Sequence, residues 1–210
     1  MPEIELGPEE TVPGKPFADP EHTQREEAAL RHLLTHERAR ARAWANGNDG
    51  GTDVIIRETD TDGLRHLLVV PDTRALLDSP DMIVVGFFGR PREDADVPLL
   101  FELEEALIGG MSAYAKGGLL SYYDLELVKG AYGNLILFSS AQGPINWREN
   151  PVHHKAVDIS PQNYWEIRLH QGTLSGRLLD GGELHLRQTK YIDYSEPEIW
   201  RAVRRLAAPS

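Results

Sequence analysis

The run MIVVGFFGR at residues 82–90 constrains the fold of this chain most strongly. It is apolar almost without interruption, which is the pattern of a β-strand that is buried on both faces. A helix is predicted next, from an apolar stripe at four-residue steps that consists of Leu99, Leu103, Leu107 and Met111. A buried strand followed by an amphipathic helix therefore opens the main folding unit.

Residues 119–194 continue this unit with two strands, two short helices and a last strand. The segment LLSYYDLELV alternates between two faces, and a turn at Lys129-Gly130 leads into YGNLILFSS, so an antiparallel hairpin is predicted. Asn150-Pro151 and Ser160-Pro161 each place a capping residue before a proline, which predicts that a helix begins at each. ELHLRQTKYIDY then alternates as a final strand. The order is β-α-β-β-α-β, with the second helix split in two.

The remaining segments are predicted to be additions to this unit. The first 20 residues are rich in proline and predict an extended arm. A helix with a capping box at Thr23-Gln24-Arg25-Glu26 follows, and then a β-hairpin that turns at Asp62-Gly63. The predicted domains are an arm at 1–20, a helix and hairpin extension at 21–81, a ferredoxin-like α+β barrel domain at 82–194 and a helical tail at 195–210.

Charge and composition exclude several classes of partner and cofactor. The formal net charge is -11 and the pI is near 5.2, so no nucleic acid and no anionic membrane is expected as a partner. A basic cluster near the C-terminus is interpreted as the solvated face of a helix; it consists of Arg201, Arg204 and Arg205. The chain has no cysteine and an acidic N-terminus unlike a signal peptide, so a cytoplasmic location is expected.

The pattern Trp147-x-x-Asn150-Pro151-x-His153, within the βαββαβ order, resembles a known superfamily. It is similar to the opening of the second helix in ferredoxin-like dimeric α+β barrels, which include antibiotic-biosynthesis-type monooxygenases and haem-degrading enzymes. The resemblance implies an antiparallel sheet with helices on one face, a homodimer whose sheets join into a barrel, and a pocket between sheet and helices. Haem-degrading members have their iron-ligating histidine about ten residues after the tryptophan, where this chain has Val157.

His153 is the first candidate for chemistry. With Asn150 as cap and Pro151 as the first helical residue, it lies in the first turn of its helix, where the helix dipole disfavours imidazolium. A neutral, inward-pointing imidazole suits a catalytic base, a hydrogen-bonding anchor or an iron ligand, and it also suits a purely structural role. His154 is expected on a solvated face and is the alternative haem ligand.

A second group of candidates lies on the predicted helix after Pro161. Tyr164 and Arg168 are four residues apart, so they are expected to orient a phenol, quinone or carboxylate together. The alternative is a contact on the helix surface. His170 is expected in the last turn, either as a ligand-binding residue or as a helix cap paired with Glu166.

The strands supply the other candidates. Asn134 has mostly apolar neighbours, and a buried amide needs hydrogen-bond partners, so it is predicted to bind a ligand or to act in catalysis. Trp147 and Tyr123 are expected to line an aromatic pocket, although each also suits a core position.

These candidates predict a homodimeric, monooxygenase-type oxidoreductase that acts on a small apolar or aromatic molecule. The catalytic residues are then His153, Arg168 and Asn134, and the ligand-binding residues are Trp147, Tyr164, His154, His170 and Tyr123. One alternative is a haem-binding protein or haem-dependent enzyme with His153 or His154 on the iron, and the cofactor is accordingly either none or haem. The other is a barrel that binds a small ligand without turnover.

Overall fold

The fold was determined as a computed structural model that describes residues 3–47, 50–127 and 131–206. The strands are β1 (Ile4–Leu6), β2 (Thr52–Thr59), β3 (Arg65–Asp72), β4 (Asp81–Pro91), β5 (Leu119–Glu126), β6 (Tyr132–Phe138), β7 (Tyr164–Ser175), β8 (Glu183–Asp193) and β9 (Trp200–Arg205). The helices are α1 (Pro20–Ala45), α2 (Thr73–Asp78), α3 (Val97–Gly109), α4 (Met111–Ala115), α5 (Gly143–Arg148), α6 (Pro151–Asp158) and α7 (Ser160–Asn163). The predicted turn at Lys129-Gly130 lies outside the described residues, as do residues 207–210.

Within the described residues, nine strands form one sheet in the order β1-β9-β8-β7-β4-β6-β5-β3-β2. The predicted strand at 82–90 is the centre of this sheet, where β4 pairs antiparallel with both β6 and β7. The short β1 pairs parallel with β9, so the sheet is mixed. Strands from the N-terminal and C-terminal parts of the chain thus belong to the same layer.

The predicted ferredoxin-like βαββαβ fold, and with it the dimeric α+β barrel and the superfamily resemblance, is wrong. The edges of that small sheet were expected to pair with a second chain. They pair instead with strands of the same chain: β5 with β3 and β8 with β9. The sheet has more than twice the expected four strands, because segments predicted as an appended hairpin and a helical tail extend it.

Helices cover both faces of the sheet, not one face as expected. Helices α1 and α2 pack on one face, where Leu30, Leu34 and Leu76 belong to a large apolar cluster. Helices α3, α4 and α5 pack on the other face with a second cluster that includes Leu107 and Trp147. This double cover agrees with the apolar character of β4, because both of its faces need to be kept from water.

The segment Tyr164–His170 was predicted as a helix and is the first half of β7. Helix α7 ends at Asn163, after one turn. The residues WEIRLH alternate apolar and polar side chains, which is the period of a strand. Two of these polar side chains, Arg168 and His170, are buried because Glu26 of α1 is their hydrogen-bond partner.

The basic cluster near the C-terminus is not a solvated helix face. It lies in β9, and Arg204 is completely buried. Its guanidinium donates hydrogen bonds to the carbonyl oxygens of Glu10 and Ala18, both at 2.7 Å, and of Pro8 at 2.9 Å. Arg204 therefore fastens the N-terminal arm to the sheet edge. The predicted domain boundaries stay predictions.

One carboxyl group in the core below α1 makes no hydrogen bond with any other described residue. Both oxygens of Glu37 are buried and unpaired, and the buried hydroxyl of Ser121 is unpaired as well. Burial raises the pKa of Glu37 from its ordinary value of 4.5 to about 7, against smaller lowering effects of Ser121 and Arg38. The folded chain therefore holds a proton that the unfolded chain releases at lower pH.

Substitution of Glu37 with glutamine tests this buried proton. Because the folded pKa is the higher one, the contribution of Glu37 to stability is complete below pH 4.5 and is lost as the pH rises through about 7. Glu37→Gln should remove this loss. Between pH 4.5 and pH 8, the free energy of unfolding of the variant should therefore rise by roughly 3 kcal/mol relative to that of the wild type. Urea unfolding across this pH range measures it. Glu27→Gln, on the exposed side of α1, should show no such dependence.

Candidate functional site

A cleft of about 220 Å³ lies between the first turns of α1 and the ends of β4, β6 and β7. Its apolar wall consists of Ala29, Phe88, Leu127 and Ala131, and Tyr132 adds an aromatic ring. Its polar wall consists of His22, Arg25, Glu26 and Arg168. The cleft combines an apolar surface with a small set of directed polar groups, as small-molecule sites generally do.

Arg168 is the central polar group of the cleft, and it is held in one geometry. Its Nε donates to Oε1 of Glu26 at 2.5 Å, and its Nη1 donates to Oε1 of Glu166 at 3.2 Å. The residue is only 8% exposed. A guanidinium fixed by two carboxyl groups loses little further side-chain entropy when a ligand binds, so Arg168 is preorganised.

His170 lies behind Glu26 and outside the residues that line the cleft. Its Nε2 is 2.8 Å from Oε2 of Glu26, and its Nδ1 is 2.8 Å from the Thr189 hydroxyl. Both ring nitrogens are thus used, and the residue is completely buried. His170 therefore positions the carboxyl group of Glu26. Glu166, the predicted partner of His170, contacts Arg168 and Arg90 instead.

His22 lies at the polar wall, in the first turn of α1. Burial lowers its pKa, and the positive charges of Arg25 and Arg168 lower it further. The imidazole is therefore uncharged near pH 7. A negative charge placed in the cleft would offset the two guanidinium groups and raise the pKa of His22.

The structure places Asn134, Trp147, His153 and Tyr164 on the opposite face of the sheet, away from Arg168. Asn134 has the partners that a buried amide requires: its Nδ2 donates to the Tyr122 hydroxyl at 2.9 Å and to Asp124 Oδ1 at 2.5 Å. The rings of Tyr164 and Phe87 are 5.8 Å apart. The predicted i,i+4 pairing of Tyr164 with Arg168 is wrong, because the segment is a strand. Its register against β4 skips Trp165, which places Tyr164 on the face opposite to Arg168.

His153 packs edge-on against Trp147, with the ring centres 5.9 Å apart. Burial lowers its pKa, with smaller contributions from His154 and Arg148. Its Nδ1 is buried and has no hydrogen-bond partner within the part of the chain that the structure describes. The ring is accordingly uncharged near pH 7. The neighbouring His154 is exposed.

Tyr123 shares the sheet face of Arg168 but belongs to another polar group. Its hydroxyl is 2.9 Å from Nδ1 of His66, whose Nε2 is 3.3 Å from Asp60.

Among the described residues, no group of three or more histidine, aspartate or glutamate side chains is arranged to hold a metal ion. No helix in the described ranges is long and apolar enough to span a membrane.

The sequence reasoning missed the contribution of α1 to the cleft. The capping box was placed at Thr23, but the helix begins at Pro20 after Asp19, so Thr23 and Glu26 lie inside it. Thr23 contacts the Tyr191 hydroxyl at 3.0 Å and Glu26 contacts Arg168. Thr23 and Glu26 precede Leu30 at helical spacing, so all three lie on one side of α1 and face the sheet. This spacing could have identified both residues from the sequence.

No protein-family model matches this chain, and no curated protein matches it either. A function is therefore inferred from the side chains that line the cleft and the opposite face of the sheet.

Substitution of Glu26 tests whether this carboxyl group organises the cleft. Glu26→Gln removes a buried ion pair and leaves Arg168 and His170 without their common partner, so it should lower the free energy of unfolding by about 3 kcal/mol. Glu27→Gln is the matched control, since Glu27 pairs with Arg31 at the surface and should cost less than about 1 kcal/mol. Denaturant unfolding at pH 7 measures both. Equal effects would show that the Glu26 pairs contribute no more than a surface ion pair.

Proposed function

We propose that this chain binds a small, largely apolar or aromatic molecule with one negatively charged group in the cleft between α1 and the sheet. The observation that carries the proposal is the buried, doubly held Arg168 beside an apolar wall. The cleft volume of about 220 Å³ is smaller than the roughly 300 Å³ at which pockets for drug-sized ligands begin, so it suits a small ligand.

The charges around the cleft favour an anion. The carboxyl groups of Glu26 and Glu166 face the guanidinium groups of Arg168 and Arg90, so these charges balance. Arg25 adds a positive charge at the mouth, where its pair with Glu21 is long at 3.9 Å and exposed. A carboxylate or phenolate would compensate Arg25 better than that exposed pair does, and Arg168 supplies donors for it.

Binding of benzoate tests the proposal. Benzoate should bind more tightly as the pH falls, because it raises the pKa of His22 and the protonated imidazole in turn attracts the anion. NMR titration of the His22 ring, with and without benzoate, measures the shift directly. Calorimetry should show about tenfold weaker binding for Arg25→Gln, a loss of about 1.4 kcal/mol.

Arg42→Gln is the matched control for this experiment, since Arg42 is an exposed arginine near the other end of α1. It should bind benzoate within twofold of the wild type. If both variants bind equally well and the His22 titration does not move, benzoate does not occupy the cleft and the proposal fails.

Turnover of the bound molecule is proposed separately, as a monooxygenase-type oxidation. Oxygen consumption with a panel of phenols and quinones tests it. Saturable binding without oxygen consumption favours a binding protein without turnover. The haem alternative draws on the uncharged His153; it predicts a Soret band after haemin addition that His153→Ala abolishes, with His154→Ala as the comparison.

A homodimer and a cytoplasmic location also belong to the proposal. The cysteine-free composition is consistent with that location, since the chain needs no oxidising compartment for disulfides. The outer strand β2 pairs with β3 on one side, and Ile55 on it is 47% exposed. Pairing of β2 with a second copy would cover this edge. Sedimentation at micromolar concentration distinguishes monomer from dimer.

A further inference from the structure

Three histidine rings lie in a row between α1 and the hairpin of β2 and β3. His32 and His36 belong to α1, and His66 belongs to β3. The ring centres of His32 and His36 are 4.5 Å apart, and those of His36 and His66 are 5.6 Å apart. Imidazole is the side chain that most often binds transition-metal ions, so neighbouring rings of this kind are candidates for a metal site.

The three rings differ in their access to solvent. His66 is 3% exposed, and both of its ring nitrogens have partners within the protein, the Tyr123 hydroxyl at 2.9 Å and Asp60 at 3.3 Å. His32 and His36 are both exposed on α1. An ion and its water ligands can therefore reach His32 and His36 from solvent, whereas His66 is committed to its own contacts.

Helix α1 keeps the two exposed rings next to each other. His32 and His36 are four residues apart, so their side chains leave the same face of the helix one above the other. Both lie far from the ends of a helix that runs from Pro20 to Ala45, so the backbone that carries them is rigid. Once one ring has bound an ion, the second ring therefore meets it at a high effective concentration.

The separation of the two rings fits a single shared ion. An imidazole nitrogen binds a transition-metal ion at about 2.1 Å, which puts the ion roughly 3.2 Å from the ring centre. Two rings that meet at a right angle on one ion then have their centres about 4.5 Å apart. The observed separation of 4.5 Å thus corresponds to the right angles of the tetragonal geometry that Cu²⁺ and Ni²⁺ prefer.

The charges around the pair do not oppose a cation. Arg40 and Glu58 both act on His36, with opposite signs, and they form an ion pair with each other. Glu58 is opposite His66 in the pairing of β2 with β3, so its carboxyl group is on the side of the sheet that faces α1. The net charge of -11 in addition raises the concentration of divalent cations near the surface of the protein.

We infer that His32 and His36 bind one divalent transition-metal ion, such as Cu²⁺ or Ni²⁺, on the exposed side of α1. In the described ranges of the chain, no third imidazole or carboxylate is placed to join them, so water completes the coordination and the ion stays open to a further ligand. Neither histidine lines the anion cleft, which ends on α1 at Ala29. The metal site therefore goes beyond the proposed function.

Cu²⁺ is the probe for this site, at about pH 8, where imidazole is uncharged and can bind a metal ion. With one equivalent of Cu²⁺, the electron paramagnetic resonance spectrum of the wild type should show hyperfine splitting from two nitrogen atoms. His32→Asn and His36→Asn should each leave splitting from one nitrogen at most. Calorimetry should show about a hundredfold weaker binding for either variant, because the chelate is lost.

His154→Asn is the matched control, since His154 is an exposed helical histidine with no other histidine three or four residues away. It should bind Cu²⁺ within twofold of the wild type. Mg²⁺ in excess should not displace the ion, because imidazole does not suit Mg²⁺. Arg25→Gln should leave Cu²⁺ binding unchanged, which separates this site from the benzoate cleft. Splitting from fewer than two nitrogens in the wild type, or wild-type affinity in either His32→Asn or His36→Asn, would overturn the inference.

Discussion

A buried carboxyl group holds helix α1 on the sheet, in addition to the packing of its leucines. Glu26 contacts Arg168 and His170 on β7 at 2.5 and 2.8 Å, on a side chain that is 10% exposed. In any other register of the helix these groups would be buried without partners, at a cost of several kcal/mol. The contacts therefore fix the register of α1 on the sheet. That register brings His22 and Arg25, one turn or less along the helix, to the mouth of the cleft.

The same contact explains which part of the fold was predictable from the sequence. The buried strand β4 and helix α3 follow from local periodicity, and both were predicted. The alternation in WEIRLH has the period of a strand, yet its polar residues look solvated until α1 is known to cover them. Pairings between distant segments have no local signal at all, and Ile4 beside Ala202 is the extreme case.

Of the site residues predicted from the sequence, Arg168 alone lines the cleft. Asn134 was identified because a buried amide needs partners, and Arg168 because it was expected beside Tyr164 on a helix. They lie on opposite faces because Asn134 is opposite Phe87 and Arg168 is opposite Phe88, and neighbouring residues of β4 point to opposite sides. A shift of one residue in the pairing of β4 with either β6 or β7 would have placed both side chains on the same face of the sheet.

Three buried carboxyl groups divide into two kinds by their partners. Glu26 has a partner on each oxygen, which is the arrangement of a group that holds elements together. Among the described residues, Glu37 accepts no hydrogen bond, whereas Asp124 accepts one on Oδ1 and has Arg65 3.7 Å from Oδ2. Burial raises the pKa of both, to about 7 and about 8, so each makes the fold less stable as the pH rises. Glu37 has the Ser121 hydroxyl as a polar neighbour, and Asp124 has Arg65 at 3.7 Å. Glu26 therefore fixes the register of α1, whereas Glu37 and Asp124 make the stability of the fold depend on pH.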